Sequence, residues 1–60
     1  MAKYGLFYTG VDKPAQVYAG DYMTQDKQFV QIYSRNPYKG DQQVAAIHLD
    51  AGYSVKLIQN

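Results

Sequence analysis

Two neighbouring runs decide how this chain folds. The first is Gln16-Val17-Tyr18-Ala19-Gly20-Asp21-Tyr22-Met23-Thr24. After the polar break Gln25-Asp26-Lys27 comes the second, Gln28-Phe29-Val30-Gln31-Ile32-Tyr33-Ser34. Successive side chains of a strand point to opposite faces. Val30 and Ile32 therefore share one face of the second run, and Phe29, Gln31 and Tyr33 the other. In the first run Val17, Ala19 and Met23 alternate against Tyr18, Gly20 and Tyr22. The break between them is of hairpin length, so the two runs form one antiparallel β-hairpin. Gly20 interrupts the first run, which marks a bulge or a place where another group comes close.

The same reading extends outward to three further strands. Lys3-Tyr4-Gly5-Leu6-Phe7-Tyr8-Thr9 is aromatic on both faces and ends at Gly10, with Pro14 closing the turn. The segment from Arg35 to Gln42 gathers Asn36, Pro37, Gly40 and Asp41, and reads as the longest loop. Gln43 to Leu49 is the fourth strand, with Ala45, Ile47 and Leu49 on one face. Six residues from Val44 to Leu49 are too few to nucleate a dependable helix. The turn Asp50-Ala51-Gly52-Tyr53 places Gly52 at positive φ. Ser54 to Gln59 completes the set, with Val55 and Leu57 inward and Lys56 outward.

Composition agrees. Seven Tyr and two Phe among 60 residues suit a pleated surface, and every acidic residue is Asp, a turn former. A chain of this length buries only about 60% of the surface it exposes when unfolded. It has no cysteine, so packing, backbone hydrogen bonds or a second copy must hold it. The net charge of +1 is too balanced to point to nucleic acid or an anionic membrane. No apolar run approaches the roughly 20 residues of a membrane span. No leader follows Met1, which sets a cytoplasmic location as the expectation.

The expected fold is a single all-β domain over residues 1–60. It comprises five short antiparallel strands in a small SH3-like barrel or rolled sheet. Ala19-Gly20-Asp21-Tyr22 resembles the early aromatic-acidic motif of SH3 domains. The chain has no tryptophan for their peptide groove and no acidic loop after the motif. The likeness therefore stays at the level of fold, and fold alone assigns no function. The expected core is Leu6, Val17, Ala19, Val30, Ile32, Ala45, Ile47, Leu49, Val55 and Leu57.

Chemistry has little to work with. A nucleophilic triad would have to join His48, the one histidine, to Ser34 or Ser54 and an Asp, and no pattern unites them. His48 and Asp50 could begin a metal site, but two ligands are too few. The glycines are scattered and none opens a helix, so no phosphate loop is present. The reading is therefore a non-enzyme with no cofactor and no metal.

The rings are the strongest feature. With Val30 and Ile32 inward, Phe29 and Tyr33 point outward, and Tyr18 and Tyr22 join them across the hairpin as an exposed strip. Such a strip is either a second small core with wet hydroxyls or a surface for a protein partner or a second copy. Seven Gln residues, several at strand positions, leave strand edges with few charges to guard them, which favours a homo-oligomer. The alternative is weak, salt-sensitive binding of single-stranded nucleic acid by Tyr33, Arg35, Tyr38 and Lys39, where rings and cations interleave.

Overall fold

The computed structural model describes residues 1–60 and is all-β. Its strands are β1 (Ala2–Tyr8), β2 (Gln16–Gly20), β3 (Tyr22–Asp26), β4 (Phe29–Ser34), β5 (Gln42–His48) and β6 (Tyr53–Gln59). They form two antiparallel three-stranded sheets, in the orders β2-β1-β6 and β3-β4-β5. The expected hairpin is β3–β4, closed by the two residues between the Asp26–Phe29 pair, with Lys27 at φ 56°. Gly52 has φ 87°, as its turn requires.

Two expectations are corrected. There are six strands, not five, and they lie in two open three-stranded sheets; of the two expected architectures, small SH3-like barrel or rolled sheet, the closed barrel is not formed. Both corrections come from Asp21. The run from Gln16 to Thr24 is broken there. The Asp21 N–H turns to the Tyr33 carbonyl (2.7 Å), and its carboxylate accepts the Arg35 N–H (2.7 Å). The backbone leaves β1 at this point and joins β4, so one run of chain serves both sheets.

The break also moves side chains to the other face. Tyr18 packs against the core and Gly20 is buried on that side. Strict alternation would then carry Tyr22 inward. Instead Met23, opposite Ile32, packs on the core, and Tyr22 faces out beside Tyr33. A one-residue irregularity inverts every later side chain.

One cluster joins the sheets: Ala2, Tyr4, Leu6 and Val55 from one, with Val30, Ile32 and Ile47 from the other and Leu49 just after β5. Val30 and Ile32 are wholly enclosed. Ala45 packs at the margin. The expected core members Val17, Ala19 and Leu57 are instead exposed. Val17 and Ala19 pair with Gly5 and Lys3 on the outer face, because Tyr18 takes the inward position. Leu57 sits opposite Tyr4, yet half of it stays open, beyond the reach of the small cluster. The molecule measures 41 × 23 × 12 Å, too thin to cover more.

Gly20 lies where the sheets meet. A methyl group there would come 2.5 Å from Ile32 Cγ2 and 3.1 Å from the Tyr33 carbonyl oxygen. The glycine in the first run therefore marks a close approach.

Candidate functional site

The solvent face of β3-β4-β5 carries the rings. Directly opposed residues of an antiparallel pair share a face. The register Tyr22–Tyr33 and Phe29–His48 thus gathers all four side chains on one side, away from Val30 and Ile32. Tyr22 and Tyr33 are stacked, with centroids 5.2 Å apart and planes 17° apart. The Arg35 guanidinium lies 5.0 Å from the Tyr22 centroid. Tyr22 therefore contacts both a cation and a second ring. Phe29, 45% exposed, meets His48 edge to face at 5.5 Å. Of the four residues expected to form the strip, Tyr22, Phe29 and Tyr33 share this surface. Tyr18 does not: it packs against the core, and its hydroxyl donates to Gln16 Oε1 (2.5 Å).

Hydrogen bonds fix the tyrosines. The Tyr33 hydroxyl donates to Gln31 Oε1. The Tyr22 hydroxyl donates to Asp41 Oδ2 (2.6 Å), which ties β3 to the loop before β5. That bond, with lesser help from partial desolvation and the Asp41 charge, raises the Tyr22 pKa above its ordinary 10.0. Ionisation would discard the donated proton and set phenolate against carboxylate. The bond is present at neutral pH, and its contribution is lost as pH rises through the raised pKa. NMR titration of the Tyr22 ring is expected to show a midpoint above the ordinary tyrosine range. Asp41→Asn should lower that midpoint. A Tyr22 that titrates at or below 10 in the native chain would contradict the bond.

The residues read as a nucleic-acid contact are more dispersed. Asn36 Oδ1 accepts the N–H groups of Tyr38 (2.9 Å) and Lys39 (3.1 Å), and Gly40 N–H donates to the Asn36 carbonyl (2.9 Å). This turn leaves Tyr38 95% exposed. Arg35 lies on Tyr22, and one face of Tyr33 is taken by the same ring. The loop therefore presents Tyr38 and Lys39 apart from the stack.

His48 Nδ1 is 3.8 Å from Asp50 Oδ1, both side chains largely exposed. No three His or Asp side chains gather as a metal site would require. A groove of about 670 Å³ runs beside Phe29, between Thr24, Gln31 and His48, and Phe29 is its one hydrophobic wall. No helix is long and apolar enough to cross a membrane.

A third ring pair is not visible in the sequence. Tyr8 and Tyr53 face each other across β1 and β6, centroids 4.4 Å apart. Only the register of strands 45 residues apart brings them together, and no local pattern reports it. Comparison with protein-family models, with curated proteins and with solved structures finds no match.

Proposed function

We propose that this chain is a non-enzymatic interaction module. It binds protein, either a second copy of itself or a member of a larger assembly, through the solvent face of β3-β4-β5. One observation carries the reading: Arg35, Tyr22 and Tyr33 are stacked in advance on an open sheet face that also bears half-exposed Phe29. Tyr and Arg dominate binding surfaces because each offers a large contact area with a polar tip. Rings already held by neighbours lose little freedom on contact. This face carries the rings of Tyr22, Phe29, Tyr33 and His48 with Thr24, Gln31 and Arg35 among them, a mixture of flat apolar area and polar tips that suits recognition. The absence of cysteine is in keeping with a cytoplasmic setting.

Tyr33→Ala is the test. It removes the outer ring of the stack and leaves the enclosed Val30 and Ile32 untouched. Light scattering should find the native chain larger than a monomer and the variant shifted to a smaller species, with an unchanged far-UV spectrum. A monomer before and after the substitution would remove self-association from the reading.

The exposure of Tyr38 beside Lys39 favours a second reading, weak binding of single-stranded nucleic acid by Tyr33, Arg35, Tyr38 and Lys39. An oligonucleotide titration followed by NMR separates the two. Shifts confined to residues 33–39 and erased by salt would support it. Unchanged spectra at low salt would dismiss it.

A further inference from the structure

Hydrogen-bond parity along β5 identifies which of its backbone groups have no strand to bond. Leu49 N–H donates to the Gln28 carbonyl (2.7 Å), one step beyond the Phe29–His48 pair. In an antiparallel ladder, bonded pairs alternate with non-bonded ones. Counting back from Leu49, Ile47 and Ala45 bond across to Val30 and Ile32. Ala46 and His48 therefore aim their N–H and C=O groups away from β4. Non-bonded pairs stand closer together, which agrees with the contact of the Phe29 and His48 rings. β5 ends its sheet, so this row faces solvent.

Proteins usually guard such an edge with charge, proline or a bulge. β3 has Asp26 and β6 has Lys56; β2 and β5 have no Asp, Glu, Lys or Arg, but β2 is five residues long and ends at the buried Gly20, whereas β5 runs seven residues from Gln42 to His48. Its one device is a register shift opposite Ile32 and Tyr33, which leaves Val44 as the extra residue. That shift blunts the first half of the edge. Ala45 to His48 stays regular.

We propose that the β5 edge pairs antiparallel with the β5 edge of a second copy, about a two-fold axis at Ile47. Outward groups must meet outward groups, which restricts the axis. An axis at Ala46 would draw the Val44 bulge into the new ladder. An axis at His48 would set Ala46 opposite Asp50, beyond the strand. With the axis at Ile47, Ala46 meets His48 of the partner subunit, twice, and each pair exchanges two backbone hydrogen bonds. The side chains fit this register. Small Ala46 leaves room for the opposing imidazole, and Ile47 meets its own copy on the buried face. The result is one six-stranded sheet with both sets of rings on the same side. An isologous contact of this kind closes at the dimer. It goes beyond the aromatic-face reading and does not depend on it.

Sedimentation equilibrium and amide exchange on the full chain test the proposal. A dimer or an assembly of dimers is expected, with the Ala46 and His48 amides exchanging more slowly as protein concentration rises. Ala46→Pro removes an N–H that no intrachain partner uses, a placement that edge strands tolerate. It should weaken the dimer roughly tenfold or more with the far-UV spectrum retained. Ala46→Lys covers the case in which proline unsettles the strand: it sets two like charges at the joint and should weaken the dimer comparably. Tyr33→Ala should keep the edge-paired dimer: any larger assembly added by the aromatic face is lost, but no monomer appears. A native chain that stays monomeric at millimolar concentration overturns the proposal, as does fast exchange of both amides at every concentration. If Tyr33→Ala yields a monomer while Ala46→Lys associates normally, the edge pairing is wrong and the aromatic face stands.

Discussion

Ile32→Ala is expected to unfold the domain at physiological temperature. Ile32 lies on the central strand of its sheet, between Met23 and Ala45, and is wholly enclosed. Truncating an enclosed Ile to Ala costs about 2–5 kcal/mol, the upper part where neighbours cannot close the gap. Here β4 is pinned on both sides, and the Tyr33 carbonyl is held by Asp21. At roughly 0.05–0.15 kcal/mol per residue, a chain of this size has about 3–9 kcal/mol in total, and small domains fall toward the low end. The loss is comparable with everything available. Thermal melting by circular dichroism should show no native baseline at 37 °C, whereas Val17→Ala, at a half-exposed site, should melt close to the native chain. A variant at position 32 within about 1 kcal/mol of native would show that the sheets are held together elsewhere.

The second large effect is expected from Gly20→Ala. The substitution adds one methyl group, and helix or strand propensity would call it mild. The geometry is against it: the new carbon would stand 2.5 Å from Ile32 Cγ2 and 3.1 Å from the Tyr33 oxygen. Neither neighbour can retreat, because Ile32 is enclosed on every side and the Tyr33 carbonyl accepts the Asp21 N–H. Overpacking of this kind costs about 1–3 kcal/mol. The two substitutions should also interact, since removing Ile32 Cγ2 vacates the space that the added methyl needs. Gly20→Ala placed on Ile32→Ala is expected to cost little more, or to restore stability, where independent sites would add. Full additivity in urea melts would mean that the two positions do not touch.

How much of this was legible beforehand can be traced to particular residues. Val30 and Ile32 set the inward face of β4 by simple alternation, and the outward placement of Phe29 and Tyr33 followed. Gly20 and Gly52 were readable because glycine inside a strand or turn has few other uses. Asp21 was not. In the sequence it is one more position in a long strand, and nothing local announces that its backbone switches partners. The errors at Tyr18, Val17 and Ala19 all descend from it, since one slipped residue exchanges the two faces. Tyr4 is not marked as core by the sequence because its run is apolar on both sides, and only pairing with Tyr18 and Leu57 decides its direction. Leu57 shows the converse limit: its face was read correctly, but its cover depends on how far the other sheet extends.

The central place of β1 in its sheet bears on the order in which the chain can fold as it is made. β2 lies on one flank of β1, and β6, the last strand, on the other. On the ribosome the N-terminal half emerges first. The strands β3, β4 and β5 are all present once residue 48 is clear. Tyr4 and Leu6 must wait for Val55, and until the final turn is synthesised one side of β1 has no neighbour to bond. The gap spans nearly the whole chain, so its closure carries the large loop entropy that slows non-local pairing. Of the six strands, β1 is thus the earliest in the sequence and among the last to gain both its neighbours.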